Sequence, residues 1–123
     1  MIEWRRLLRR ALEAARLANR PDLATMRVEE NPNLSDVPPN ALIIVGGKGY
    51  HKWAYLQCPC GCGTPIMLSL SKTRRPSWSV RFDRLDRPTM HPSVWQTEGC
   101  CSHFWIRRGR IVWTPDTGRP PRR

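Results

Sequence analysis

Three cysteines fall within five residues, in the run Cys58-Pro59-Cys60-Gly61-Cys62-Gly63, and a second group, Cys100-Cys101-Ser102-His103, follows about 38 residues later. Thiolates and imidazoles gathered at this density suit zinc, which structural sites hold with four cysteines, three cysteines and a histidine, or two of each. The glycines that bracket Cys60 and Cys62 let the backbone turn tightly enough for neighbouring sulfurs to converge on one ion. Cys100 and His103 have the three-residue offset of a metal turn. The expected ligands are therefore Cys58, Cys60, Cys62, Cys100 and His103, with Cys60 and Cys62 ahead of Cys58, and with Cys101 as a neighbour of the site. One Zn2+ joining the two turns would cross-link distant parts of the chain, where loop-closure entropy in the unfolded state makes a clip most effective.

Alternative chemistry at these residues is weaker. The cysteines number five, and three of them alternate with single residues, a spacing poorly suited to disulfides and better suited to a reduced, cytoplasmic metal site. A zinc hydrolase needs an open coordination position and a general base, for which Glu98 is the nearest carboxylate in sequence. The deaminase pairing of H-x-E with P-C-x-x-C is absent, because Pro59-Cys60-Gly61-Cys62 has one residue too few between its cysteines, and H-E-x-x-H is absent as well. The Gly46-Gly47-Lys48-Gly49 run lacks phosphate-loop spacing and reads as a hairpin turn. His91 before Pro92, and His51 at a turn-to-strand junction, read as surface or hydrogen-bonded histidines.

The elements that would position these residues are mostly strands. Ala41–Val45 is a continuous apolar run suited to a buried strand, and Lys52–Gln57 returns from the glycine turn to deliver Cys58. Residues 65–70, 78–82 and 103–107 are further strand candidates, the last pairing with residues 110–114 across Arg108-Gly109. In the first 20 residues, Trp4, Leu7, Leu8, Ala11, Ala15 and Ala18 gather on one helical face and arginines on the other. Pro21 ends that helix. The expected organisation is an amphipathic basic helix over 1–20, a linker or extended arm over 21–40, a zinc-stabilised antiparallel β domain over 41–114, and a flexible basic tail over 115–123. The fold class is mainly β.

A formal charge of +11 and the lack of any apolar run long enough to cross a bilayer describe a soluble chain whose field attracts polyanions or acidic surfaces. Arg74, Arg75, Arg107, Arg108 and Arg110, with Trp78, Trp105 and Trp113 nearby, fit a nucleic-acid surface that pairs phosphates and stacks bases. The same tryptophans fit a small core, which is the stronger reading because short strands need large side chains. The Trp4, Leu7, Leu8 and Ala11 face suits a groove on a protein partner, or the chain's own β body.

The run Ile43-Ile44-Val45-Gly46, the Trp53-Ala54-Tyr55 segment, CPCGCGTPIMLSL, RPSWSV, PSVW and GCCSHFWIRRGRIVW together resemble a bacterial and phage family, domain of unknown function 6527, over about residues 37–114. The resemblance implies metal binding by Cys60, Cys62, Cys100 and His103, with Cys58 also common, and a variable place at Cys101. It further implies an accessory part, as adaptor or ligase-like component, in bacterial ubiquitin-like conjugation systems, whose genes lie beside some relatives. A saturated four-ligand site leaves the ion no position for chemistry, so the expectation is a zinc-stabilised protein-interaction module rather than an enzyme.

Overall fold

The computed structural model describes residues 5–8, 10 and 22–119. Residues 5–8 and 10 are helical, and Leu7 and Leu8 are exposed on that segment. Trp4, Ala11 and the rest of the expected helix lie outside the described residues.

The body is built of nine strands: β1 (Ala24–Val28), β2 (Ala41–Gly47), β3 (Tyr50–Gln57), β4 (Pro65–Ser69), β5 (Ser79–Phe82), β6 (Pro88–His91), β7 (Val94–Trp95), β8 (His103–Arg107) and β9 (Arg110–Trp113). They form a four-stranded sheet in the order β1-β2-β3-β4, a β5-β6 pair, and a three-stranded β7-β8-β9 sheet.

The apolar run on β2 is continuous because both of its faces are covered. Leu42 and Ile44 pack with Ala54, Leu56, Ile66, Leu68, Met90, Val94, Phe104 and Ile106 in the main core. Ile43 and Val45 point the other way, towards Val37 and Tyr55. β2 and β3 form the expected hairpin, with a bulge between Val45 and Gly46. A Cβ at Gly46 would stand 2.3 Å from the Tyr50 carbonyl oxygen, so only glycine fits the bulge. The β8–β9 hairpin turns at Arg108 and Gly109, both with positive φ, a geometry that matches the twist of paired strands.

The stretch expected to be a linker or extended arm contains β1, which pairs parallel to β2 with Ala24 opposite Ala41, so the main sheet is mixed and not wholly antiparallel. Its anchor is partly electrostatic: the Arg27 guanidinium forks onto both carboxylate oxygens of Asp86, at 2.8 and 2.5 Å. The Thr25 hydroxyl also donates to the Asp86 carbonyl. In the tail, residues 115–119 are structured by turns, with the Thr117 amide donating to the Thr114 carbonyl and the Gly118 amide to the Cys101 carbonyl.

Candidate functional site

The first site forms where β3 ends. The Cys58 amide donates to the Thr64 carbonyl, closing a loop in which Gly61 and Gly63 take positive φ, and β4 leaves immediately afterwards. That loop presents three thiols to Cys100, which lies in the turn before β8. The sulfurs of Cys58, Cys60, Cys62 and Cys100 lie within 4.8 Å of one another, and the four cysteines stand close enough to hold one metal ion. The Cys58–Cys60, Cys58–Cys100 and Cys62–Cys100 separations are 3.4, 3.6 and 3.8 Å. Four thiolates about 2.3 Å from a tetrahedral ion stand about 3.8 Å from each other, so the spacing fits the group, whereas a disulfide needs about 2.05 Å.

The thiols differ electrostatically. Burial pushes Cys58 up to about 12, whereas the Thr64 hydroxyl 3.3 Å from Cys62 helps bring that thiol down to about 6. Cys100 is lowered by the Ser102 hydroxyl, 3.1 Å away. The fully enclosed Ser102 also approaches Cys58, at 3.4 Å, and thus orients the sulfurs on both sides of the cluster. Cys101 is buried beside the group and is not one of the four.

His103, paired with Cys100 in the sequence reading, is placed in a different constellation. Strand alternation on β8 buries Phe104 and Ile106 in the core and turns His103 to the opposite face. There its Nδ1 lies 2.8 Å from Asp116 Oδ1 and its Nε2 lies 2.9 Å from Ser93 Oγ. A carboxylate only accepts, so Nδ1 carries the proton and Nε2 is left to accept from the Ser93 hydroxyl. The Thr114 hydroxyl donates to Asp116 Oδ1, and this bond, followed by the one from His103, holds the Asp116 carboxyl below the usual carboxylate range. Asp116 is therefore an anion near neutral pH, able to stabilise a positive charge on the imidazole.

Ser93 occupies the residue before β7, where the Trp78 indole N–H holds its carbonyl at 3.2 Å. The His103 amide donates to the Thr117 hydroxyl at 2.9 Å, and the Thr114 amide to the His103 carbonyl at 3.0 Å. Histidine and the aspartate-bearing loop are thereby bonded together through backbone as well as side chains. Such a relay can withdraw a proton from a serine hydroxyl and return it to a leaving group.

Ser93 and Asp116 escaped the sequence reading. Serine in Pro92-Ser93-Val94 carries no local motif of the nucleophile-elbow kind, and Asp116 lies in a Pro- and Arg-rich segment read as a fraying tail. The available signal was a polar Ser, His and Asp set within a short C-terminal stretch, and the Cys100 spacing drew His103 to the metal instead.

The chain is thus a small, mainly β protein that brings together a four-cysteine cluster able to hold a metal ion and a hydrogen-bonded Ser-His-Asp set. The chain matches, over residues 27–114, the family model described as "Bacterial ubiquitination-like system serine protease (BubE)", and it belongs to that family. The match includes Ser93, His103 and all four clustered cysteines; Asp116 lies just beyond it. No curated protein and no solved structure matches the chain. No helix among the described residues is long and apolar enough to cross a membrane.

Proposed function

We propose that this protein is a serine hydrolase of a bacterial ubiquitination-like system, cleaving an acyl bond made by or within a ubiquitin-like protein. Ser93 is the nucleophile, His103 the general base and Asp116 the orienting anion. The observation that carries the reading is the continuous relay from Ser93 Oγ through the two nitrogens of His103 to Asp116, at 2.9 and 2.8 Å. The family's description as a serine protease supports it.

In the first half-reaction Ser93 Oγ bonds to the scissile carbonyl carbon as its proton passes to His103 Nε2. The imidazolium so formed is stabilised across Nδ1 by the Asp116 carboxylate. The Ser93 backbone N–H donates no hydrogen bond to another described residue, which leaves it available to the developing oxyanion. Collapse of the tetrahedral adduct breaks the bond to the leaving amine or alcohol, which takes the proton from His103. Water then loses a proton to His103 and hydrolyses the Ser93 ester, and the proton returns to Ser93.

The four thiolates are a structural zinc site in this reading. Cys58, Cys60, Cys62 and Cys100 would fill all four positions of such an ion, which would then support the fold and leave the chemistry to the triad. Reduced thiols at this density suit the bacterial cytoplasm. Of the three indoles in the nucleic-acid reading, Trp105 has a face occupied by the Arg107 guanidinium at 4.8 Å, which weighs against base stacking there. The basic charge remains available to acidic protein surfaces.

A fluorophosphonate tests the reading without knowledge of the substrate, because it forms a stable adduct only with an activated hydroxyl. The expected result is a single adduct on Ser93, found by peptide mass spectrometry, abolished in Ser93→Ala and slowed about 1,000-fold or more in His103→Ala. Wild-type protein that resists the reagent, or a His103→Ala variant labelled at the wild-type rate, overturns it.

A further inference from the structure

The two ring nitrogens of His103 are assigned to Ser93 and Asp116, but two in-plane contacts leave the imidazole free to tilt out of their plane. One face of the ring is covered by Trp95. The centroids are 4.0 Å apart and the planes differ by 4°, a nearly parallel stack. Strand register produces it. The Gln96 amide donates to the Ser102 carbonyl, which makes 96 and 102 a hydrogen-bonded pair and leaves Trp95 and His103 as the adjoining non-bonded pair of β7 and β8. Side chains at such a pair approach more closely than at any other position of an antiparallel ladder.

The indole is itself pinned. Its Nε1–H donates to the Arg119 carbonyl at 3.1 Å, so the ring cannot turn within its own plane without losing that bond. Arg119 closes the same loop that carries Asp116, and the Arg119 amide donates to the Asp116 carbonyl. One short loop thus fixes both the carboxylate at the edge of the imidazole and the indole over its face. The stack also keeps water away, leaving the His103 side chain only 14% exposed.

Resting on the serine-hydrolase reading above, we infer that Trp95 is a positioning residue for that reaction, holding the His103 imidazole in the plane of Ser93 and Asp116 and favouring the imidazolium formed as Ser93 attacks. The physical basis is the negative face of the indole π system. A cation lying over it is stabilised more than a neutral ring, and more strongly in a desolvated stack than in water. The preference acts when the proton arrives on His103, so it lowers the barrier and not merely the energy of the resting protein.

The test uses the full chain and fluorophosphonate labelling of Ser93, resolved into the maximal inactivation rate and the reagent concentration giving half of it. For Trp95→Leu the expected result is a maximal rate lower by about 10- to 30-fold. The half-saturating concentration should stay within about twofold, because the reagent does not contact Trp95 in this scheme. Trp95→Phe retains a stacking ring and should recover most of the rate. Proton NMR supplies a readout that mere packing would not move. The low-field resonance of the His103 Nδ1–H bonded to Asp116 should persist in wild type and Trp95→Phe and be lost in Trp95→Leu. If the Leu variant does not fold, Trp95→Met against Trp95→Phe makes the same comparison between a flexible side chain and an aromatic one.

Equal maximal rates and an intact low-field resonance in Trp95→Leu or Trp95→Met overturn the positioning role. So does a Phe variant that loses as much rate as the non-aromatic ones. A wild-type chain without a Ser93 adduct overturns the hydrolase reading itself, whereas a labelled wild type with indifferent Trp95 variants sinks only the role of Trp95.

Discussion

Replacing Cys58 by Ser separates the four-thiol site from the ligand set that includes His103. Cys58 is the deepest of the four, buried at the end of β3 and 42 positions from Cys100, to which its sulfur lies within 3.6 Å. An ion bridging those positions closes a loop of that length in the unfolded chain. By the cross-link entropy relation, such a closure contributes about 4 kcal/mol at room temperature. For a domain near this size 1 kcal/mol moves Tm by about 4–8 °C, so losing the ion should lower Tm by on the order of 15–30 °C. The assay is metal content by plasma mass spectrometry beside thermal unfolding followed by circular dichroism, with and without a chelator. Wild type should carry about one zinc per chain, Cys58→Ser should carry far less and melt like chelated wild type, and His103→Ala should keep its zinc. A Cys58→Ser variant with full metal content, or a His103→Ala variant without it, would refute the reasoning.

Asp116→Asn keeps the shape of the loop but removes the anion that fixes the His103 tautomer, so labelling of Ser93 should slow by about 1,000- to 10,000-fold while zinc content stays at the wild-type level; a loss below tenfold would argue against its role. Burial raises the Asp86 carboxyl, but the paired hydrogen bonds and charge of Arg27, with Arg5 and Arg6 behind it, bring the net value below the usual carboxylate range. A depressed folded value means that this stabilisation is complete above the unfolded carboxyl value near ~4 and is lost as pH falls through the lower folded one. Arg27→Met should therefore cost about 2 kcal/mol at neutral pH, discounted for the one-third exposure of Arg27, with the deficit shrinking below about pH 4 in urea titrations; a pH-independent deficit contradicts it. Phe104 is fully buried where the β8 sheet meets the main core, and Phe104→Ala should cost about 3–5 kcal/mol in the same titrations, with a value under about 1 showing that the sheets do not share that core.

What the sequence disclosed follows from how local each signal is. The β2 run, the hairpin into β3, the glycine-bracketed thiol loop and the β8–β9 hairpin are written in contiguous residues, and the structure has them in the expected places. β1 is a short strand with little alternation, and its parallel partner is separated from it by a proline-rich crossing, so nothing local announces it. β7 is two residues long and exists because β8 offers it an edge. The relay is harder still, since Ser93 and Asp116 stand 10 and 13 positions from His103 and meet it only after β7, β8 and the following loop have folded. Cys100 and His103 do have metal-turn spacing. Alternation on β8 places the imidazole beside Trp95, while the sulfurs that gather are those of Cys58, Cys60, Cys62 and Cys100.

The thiol centre and the relay share one segment of chain. Cys100 faces the other three sulfurs, the Cys101 carbonyl accepts from Gly118 in the loop that bears Asp116, the Ser102 carbonyl accepts from Gln96 beside β7, and His103 begins β8. Successive residues thus tie the cluster to the loop carrying Asp116, then to the strand following Ser93, then to His103. Cys101 reaches its place with φ of 51°, a backbone cost that persists only where surrounding bonds over-determine the conformation. The cluster fixes one end of that segment and the buried Phe104 fixes the other. Between these anchors His103 has little freedom, which is the condition a proton relay with hydrogen bonds near 2.9 Å requires of its central residue.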